Sequence, residues 1–390
     1  MPAYLDHAAT TPMSEVAIAA MTAELAVVGN PSSLHAAGRR ARKVVEQSRE
    51  LVAQALGAQP ADVIFTGGGT EADNLAVLGL FRARRAANPA RIRVLASAVE
   101  HHAVLDPVQA LAINEGAIVE WLPVDSAGHL DVGALAALLA DHADSIAFVA
   151  VMAANNEIGT RQPIAEVVRA CAAYDIPVHS DAVQSVAWDA WDFAASGLAT
   201  AAVSAHKVGG PHGVGALLVS RTTTIAPVLF GGGQERGVRS GTLDAPGVAA
   251  FAAALTDAVA SLDSRSQRVR ALREELIAVV REVDHTAVLN GSADCLPSIA
   301  HFSFPGCEGD ALLMLLDAAG VECSTGSACT AGVPEPSHVL LAMGASPATA
   351  RASLRFSLGA TSTQTDIVAL ADALPGVLAR ARRAGQMVAR

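Results

Sequence analysis

The sequence predicts an α/β protein with a mostly parallel sheet, joined to a second, smaller α+β domain. Two observations predict it. From about residue 50 to 220, short β-branched runs alternate with helical patterns. After about residue 250 the alternation gives way to a long helical stretch and then shorter strand candidates. Strands that alternate with helices build parallel sheets, because each helix carries the chain back to the end where the next strand starts.

The elements follow in order. VIF at 63–65 precedes TEADNLAVLGLFRARRAA, and IRVLAS at 92–97 precedes a segment starting EHHAVLDPVQALA. IVEWLPV at 118–124 precedes DVGALAALLADH, and SIAFVAVM at 145–152 precedes PIAEVVRACAAY. IPVHS at 176–180 and TAAVS at 200–204 complete the strands of this region. Beyond it, the Ala/Arg/Glu-rich stretch 248–283 predicts one long helix. AVLN, SIAHFSF and ASLRFSL predict short strands separated by helices, and a helix is expected to end the chain. In open α/β sheets the ligand site lies at the carboxyl ends of the strands.

Composition bounds the function. The 390 residues are 52% hydrophobic with mean hydropathy +0.37, enough for a large core. No run of about 18 apolar residues lacks charges or breakers, so no membrane partner is expected. MPAYLDHAATTP carries neither a basic nor an apolar leader region, and a cytoplasmic location is expected. The net charge of −11 argues against nucleic acid as a partner. Five cysteines, at 171, 295, 307, 323 and 329, form no C-x-x-C and are odd in number. That pattern argues against a disulfide framework or a zinc site, and no metal is expected.

The basic residues hold a clue. Of 27 Lys and Arg, only Lys43 and Lys207 are lysine. Lys43 lies in the charged stretch RRARKVVEQSRE and reads as a solvated helix face. Lys207 lies in SAHKVGGPHG, just after the strand TAAVS. Arginine stays charged, whereas a desolvated lysine loses its proton and attacks carbonyls.

Three more motifs end strands. In FTGGGTEADNLAVLG, three glycines turn the chain into a helix expected to begin at Thr70, with Gly69 beside it. A helix N-terminus offers free N–H groups to a phosphate, and without a lysine before the threonine this is no triphosphate loop. Asp181, in PVHSDAVQSV, follows an apolar strand, as a helix cap or as a carboxylate in the cleft. His101, in EHHAVLD, also falls at a strand's end, as a structural or a ring-stacking group. Together these supply a phosphate cradle, a carboxylate, a histidine and an amine at one sheet edge. Pyridoxal 5′-phosphate needs that set: a helix N-terminus for its phosphate, a lysine for its aldehyde and a carboxylate for its ring nitrogen.

The last motif is CSTGSACTAGVPEPSHVL, 323–340. Cys329 lies among small residues in a glycine- and proline-rich stretch, which predicts an exposed, reactive thiol. Cys323 follows GVE and reads as strand packing, and Cys171, Cys295 and Cys307 as structural.

With these residues in place, the chain resembles the cysteine desulfurases, fold-type-I pyridoxal-phosphate enzymes of the class V aminotransferase group. The resemblance runs from YLDHAATTP and GNPSSLH to LRFSLG, nearly end to end. The loop SACTAGVPEPSHVL is similar to that of the long-loop branch serving iron–sulfur cluster assembly. It implies a large domain over 15–250 and a small domain of 1–14 and 251–390. It implies Lys207 as the Schiff-base lysine, Asp181 as the partner of the ring nitrogen, His101 on the ring and Cys329 as the sulfur-accepting nucleophile. Thr70, Ser204 and His206 match phosphate contacts, with the backbone near Gly69 helping, and Gln184 matches a contact to the ring hydroxyl. Thr242, in ERGVRSGT, matches a phosphate contact from the other subunit, so a homodimer is implied. Asn156, in NNEIGT, and Arg355 match the groups that hold the substrate carboxylate. L-cysteine is the implied substrate and a sulfur-acceptor protein the implied partner. GGGT in place of the frequent SGAT, and small residues after Lys207, depart from the family without removing a chemical group. The short C-terminus leaves the scaffold-docking surface open. A selenocysteine lyase or a plain aminotransferase is the alternative activity, and a non-catalytic scaffold the alternative class.

Overall fold

The computed structural model describes residues 2–326 and 336–388, with side chains to residue 383. The strand β1 (Ala3–Tyr4) starts the chain. Seven strands then form the main sheet: β2 (Val63–Thr66), β3 (Arg93–Ser97), β4 (Ile118–Leu122), β5 (Ile146–Ala150), β6 (Val178–Asp181), β7 (Thr200–Ser204) and β8 (Gly215–Val219). Their spatial order is β2-β8-β7-β6-β5-β3-β4. All neighbours are parallel except at β8, which runs antiparallel to both β2 and β7. Fold class and strand positions thus follow the alternation in the sequence, but β8 was not foreseen. The glycines after Lys207 hid it. They turn the chain back at once, with Gly209 at φ +86° and Gly213 at +75°, so β8 returns by a hairpin and not by a helix.

The strands alternate between two apolar layers, as their period of two requires. Val63, Phe65, Leu95, Val149, Val203 and Leu218 face the helices Ala36–Ala55, Val132–His142, Ile164–Ala172 and Ala245–Ala260. Ile64, Val94, Phe148, Ala202 and Leu217 face the helices Gly69–Ala87 and His102–Glu115. Helices therefore cover both faces, and the strand ends remain open for a site.

A second core surrounds a three-stranded antiparallel sheet of β9 (Val288–Asn290), β10 (Ile299–Ser303) and, beyond β11 (Val321–Glu322), β12 (Ser353–Ser357). Phe302, Phe304 and Phe356 are buried there against the helices Leu262–Val283 and Gln364–Val388. β11 pairs with β1, which fastens the N-terminus to this second core. The expected single helix over 248–283 is two, Ala245–Ala260 and Leu262–Val283, bent by 73°. Ser261 marks the break, where its hydroxyl turns back onto the Asp257 carbonyl at 2.9 Å. No single helix among the described residues is long and apolar enough to cross a membrane.

One ion pair ties the layers together. Arg49 donates two hydrogen bonds to Glu235, at 2.8 and 2.6 Å, and a third to the Val63 carbonyl. Glu235 also accepts from the Phe65 N–H at 2.7 Å. Both side chains are buried, so removing one strands the other's charge. Arg49→Ala is expected to lower unfolding free energy by about 3–5 kcal/mol in urea titrations, whereas exposed Arg42→Ala moves it by less than about 0.5 kcal/mol.

Candidate active site

The carboxyl ends of β2, β5, β6 and β7, with the turn after β3, open on one cavity of about 390 Å³. Gly69, Thr70, His101, Asn156, Asp181, Gln184, Ser204, His206, Lys207 and Arg355 all line it. Ten of the twelve site residues read from the sequence are thus brought together. Thr242 is exposed and lies outside this cavity. Cys329 falls outside the described residues, between Gly326, which lines the cavity, and Pro336.

The phosphate cradle begins where β2 ends. Gly68 caps the helix Gly69–Ala87 at φ +145°, a value open to glycine alone, and no side chain caps the first turn. The first N–H groups are thus free for a ligand. A Cβ on Gly69 would come within 2.9 Å of Val183 and 3.3 Å of Ser204, so only glycine brings the helix start this close to β6 and β7. Glu71 would repel an anion here, but Arg239 pairs with it at 2.6 Å. Ser204 and His206 reach the same end of the cavity from β7 and the turn after it.

Lys207 sits across from this cradle. Its Nζ donates to the carbonyls of Ala8 and Ala9 at 2.5 and 2.8 Å. Burial pushes its pKa down to about 8, and the Arg355 cation pushes the same way, while Asp181 and Asp6 oppose both. Asp181 is buried at the end of β6, and desolvation raises it to about 6. The Val183 N–H, donating to Asp181 Oδ1 at 2.9 Å, and Lys207 hold it from rising further. Burial, with smaller pushes from Lys207 and two histidines, lowers His101 to about 4, so the ring is neutral. Its Nδ1 accepts from the Ala103 N–H at 3.0 Å, which places the remaining proton on Nε2. His206 is lowered to about 4 as well, by burial first and then Lys207.

Arg355 enters from β12. Its Nη1 donates to the Asn156 carbonyl at 2.9 Å and its Nη2 to Asp6 at 2.7 Å, while its buried Nε has no partner among the described residues. Gln184 donates to the Ala8 carbonyl at 2.9 Å. The amine, the uncapped helix start, the buried carboxylate and the guanidinium at the cavity wall fit pyridoxal phosphate and a carboxylate-bearing amino acid. Among the described residues no His, Cys, Asp and Glu group is arranged to hold a metal. A larger cleft of about 650 Å³ contains none of these groups, and its Arg49 and Glu235 already pair.

Several contributors were not read from the sequence. Asp6 pairs with Arg355, and Asp73 and Met152 line the cavity. Glu100 is buried behind His101, raised to about 8 by desolvation. The acidic residue within YLDHAATTP was the available signal for Asp6, since an Asp among small residues needs a reason. Cys171 and Cys323 are buried, and burial pushes both thiols up to about 12, which suits packing and not reaction. Cys295 and Cys307 are buried too.

The comparisons define the class. The model of the class-V aminotransferase family matches residues 3–370. An IscS-like cysteine desulfurase of Mycobacterium tuberculosis is 55% identical over 385 residues, which is 98% of each chain. A solved structure of a NifS-like protein superposes with a TM-score of 0.89 at 31% identity, covering 97% of this chain and 100% of that one. A structure of SspA in complex with cysteine superposes at 0.79 and 30% identity, covering 92% and 99%. The chain belongs to the class-V aminotransferases, pyridoxal-phosphate-dependent enzymes. Within them it belongs to the cysteine desulfurases.

The charges around Lys207 fix the sign of a pH test. Reaction of the cofactor-free protein with a small aldehyde is expected to rise with a midpoint near pH 8, well below the ordinary lysine value. Arg355→Ala moves the midpoint up, because a neighbouring cation is gone. Asp181→Asn moves it down, because an anion is gone. The stopped-flow pH profile of imine absorbance reads all three.

Proposed function

We propose that the chain takes sulfur from L-cysteine, releases L-alanine, and carries the sulfur as a persulfide on Cys329. What supports this reading is the convergence on one cavity of a desolvated amine, a buried carboxylate, an uncapped helix start and an arginine. Pyridoxal phosphate, when bound, supplies an aldehyde that takes up amines and a ring that accepts electrons while its nitrogen is protonated.

The chain's own residues do the rest. The N–H groups of Gly69 and Thr70, with the side chains of Thr70, Ser204 and His206, are assigned to the phosphate. Asp181 holds the proton on the ring nitrogen, and Gln184 is assigned to the ring hydroxyl. His101, neutral and at the cavity wall, is assigned to the ring face and to the substrate thiol's proton. Arg355 and Asn156, both at the cavity wall, hold the substrate carboxylate. Lys207, with a large neutral fraction near pH 8, takes the Cα proton at Nζ. Cys329 attacks the substrate sulfur as thiolate. The sulfur's bond to substrate Cβ breaks and a bond to Cys329 Sγ forms. One thiol and one L-cysteine become one persulfide and one L-alanine, so no external oxidant is needed.

The cofactor site is proposed to be completed by a second copy, with Thr242 reaching the partner's phosphate cradle. In support, Thr242 is exposed and lies outside its own chain's cavity. Val28, Leu34 and Phe230 are 85, 86 and 78% exposed, as residues awaiting a partner are. The acceptor is proposed to be an iron–sulfur scaffold or another thiolated protein, in the cytoplasm. The two cores support two domains, a large one starting near residue 15 and a small one that includes 1–14, but not a boundary at 250, since Phe251, Leu255 and Ala258 belong to the large core. The helix Ala245–Ala260 packs with the large core, so we place the boundary near Ser261. The lyase alternative is not favoured, because the 55% identical relative is a desulfurase.

Sulfide and alanine release from L-cysteine with a thiol reductant tests the proposal. The parent is expected to give equal amounts, and Cys329→Ala almost none while keeping the cofactor's absorbance. Equal activity in both would defeat the role of Cys329. Arg355→Ala is expected to raise KM for L-cysteine by about ten- to a hundredfold, the worth of a charge-assisted hydrogen bond.

A further inference from the structure

Three buried carboxyl groups lie near the base of the cavity, and the scheme above uses only Asp181. Asp73 lies in the helix Gly69–Ala87 and is 1% exposed. Its Oδ1 is 3.2 Å from Nε2 of His179, which is fully buried on β6. Nδ1 of His179 is 2.9 Å from the Thr200 hydroxyl. His179 and Asp181 are two residues apart on the same strand, so both point to the face that this helix covers. Glu100 is the third carboxyl: its Oε1 accepts from the Met152 N–H at 2.6 Å, and its Oε2 has no partner among the described residues.

The protons can be placed in two ways. In one, His179 Nε2–H donates to an ionised Asp73 and the Thr200 hydroxyl donates to Nδ1. In the other, a protonated Asp73 donates to Nε2, and Nδ1–H donates to Thr200. Both arrangements satisfy the histidine, so the electrostatics decide between them. Burial is the largest influence on Asp73 and raises its pKa, and the neighbouring carboxyls Asp181 and Glu100 push the same way. No cation pairs with Asp73 among the described residues, and the nearby Lys207 acts on Asp181. Two carboxyls that share a buried site cannot both ionise without a cation for each, so one keeps its proton. Asp181 has the Val183 N–H and Lys207 to hold a negative charge, and Asp73 has neither. His179 cannot supply the missing charge, because full burial keeps it neutral.

We infer that Asp73 is a positioning residue that works as a neutral acid. Its O–H donates to His179, His179 donates to Thr200, and Asp181 is left as the single anion that the sheet presents to the base of the cavity. A single anion suits one protonated ring nitrogen. A second would draw a further proton into the site and hold Lys207 in its charged form. The inference rests on the proposed role of Asp181, but the protonation of Asp73 is read directly, so the two can fail separately.

The experiment compares the cofactor-loaded parent at pH 8 with Asp73→Asn, whose amide donates to His179 as the acid would and cannot ionise, and with Asp73→Leu, which cannot donate. The infrared difference spectrum of parent minus Asp73→Asn is expected to show the carbonyl band of a protonated carboxyl. Asp73→Asn is expected to bind pyridoxal phosphate within about threefold of the parent, and Asp73→Leu at least about tenfold more weakly, because a buried ring nitrogen loses its partner. Absence of the band overturns the inference. So does an Asp73→Asn protein that binds as weakly as Asp73→Leu, or that does not fold, since a neutral donor of the same shape should be accepted. Loss of cofactor absorbance in Asp181→Ala, measured alongside, tests the role of Asp181 independently.

Discussion

The site depends on where residues 3–11 run. They leave β1 and cross from the small core to the large one, and they are tied at every step. The Ser357 N–H donates to the Leu5 carbonyl at 2.7 Å, and the Ala8 N–H donates to the Ser357 hydroxyl at 2.9 Å. Asp6 takes Arg355, the Ala8 carbonyl takes both Lys207 and Gln184, and the Thr11 N–H reaches the His206 carbonyl at 3.2 Å. One short segment therefore sets the distance between the amine, which belongs to the large sheet, and the arginine, which belongs to the small one.

Burial gives these contacts their chemical effect. The cavity floor is built of residues already removed from water, so the same charges act more strongly there than on the surface. Desolvation lowers Lys207 and the two histidines and raises Asp181, Asp73 and Glu100. Groups with ordinary affinities become an amine that can lose its proton and acids that can keep theirs.

Much of this was legible in the sequence, for a local reason. GGGT, EHH, HSDAVQ and SAHK each lie at or just beyond the end of a strand, and a parallel sheet sends all such ends to one edge. Knowing the fold class was therefore enough to bring Thr70, His101, Asp181 and Lys207 together. The groups that stayed hidden are those whose meaning comes from a distant partner. Asp6 meets Arg355 across 349 positions, and Asp73 meets His179 across 106. β8 was missed because a hairpin return carries no helix to announce it, and the break at Ser261 because the sequence on both sides is equally helical. Thr242 was read only through resemblance, since it belongs to no strand end, whereas Cys329 was read from the small residues and the glycines and prolines around it.

The tether of Lys207 has one more consequence. Nζ is held by two peptide carbonyls, and the residues that own them are alanines. A side-chain scan of positions 8 and 9 would therefore pass over the contact, because every replacement leaves the carbonyl in place. The determinant is the path of the main chain, which the flanking anchors at Leu5, Asp6 and Thr11 preserve. Drift at these two positions would leave the lysine's setting intact, whereas a one-residue insertion between Asp6 and Thr11 would detune it without touching any reactive group.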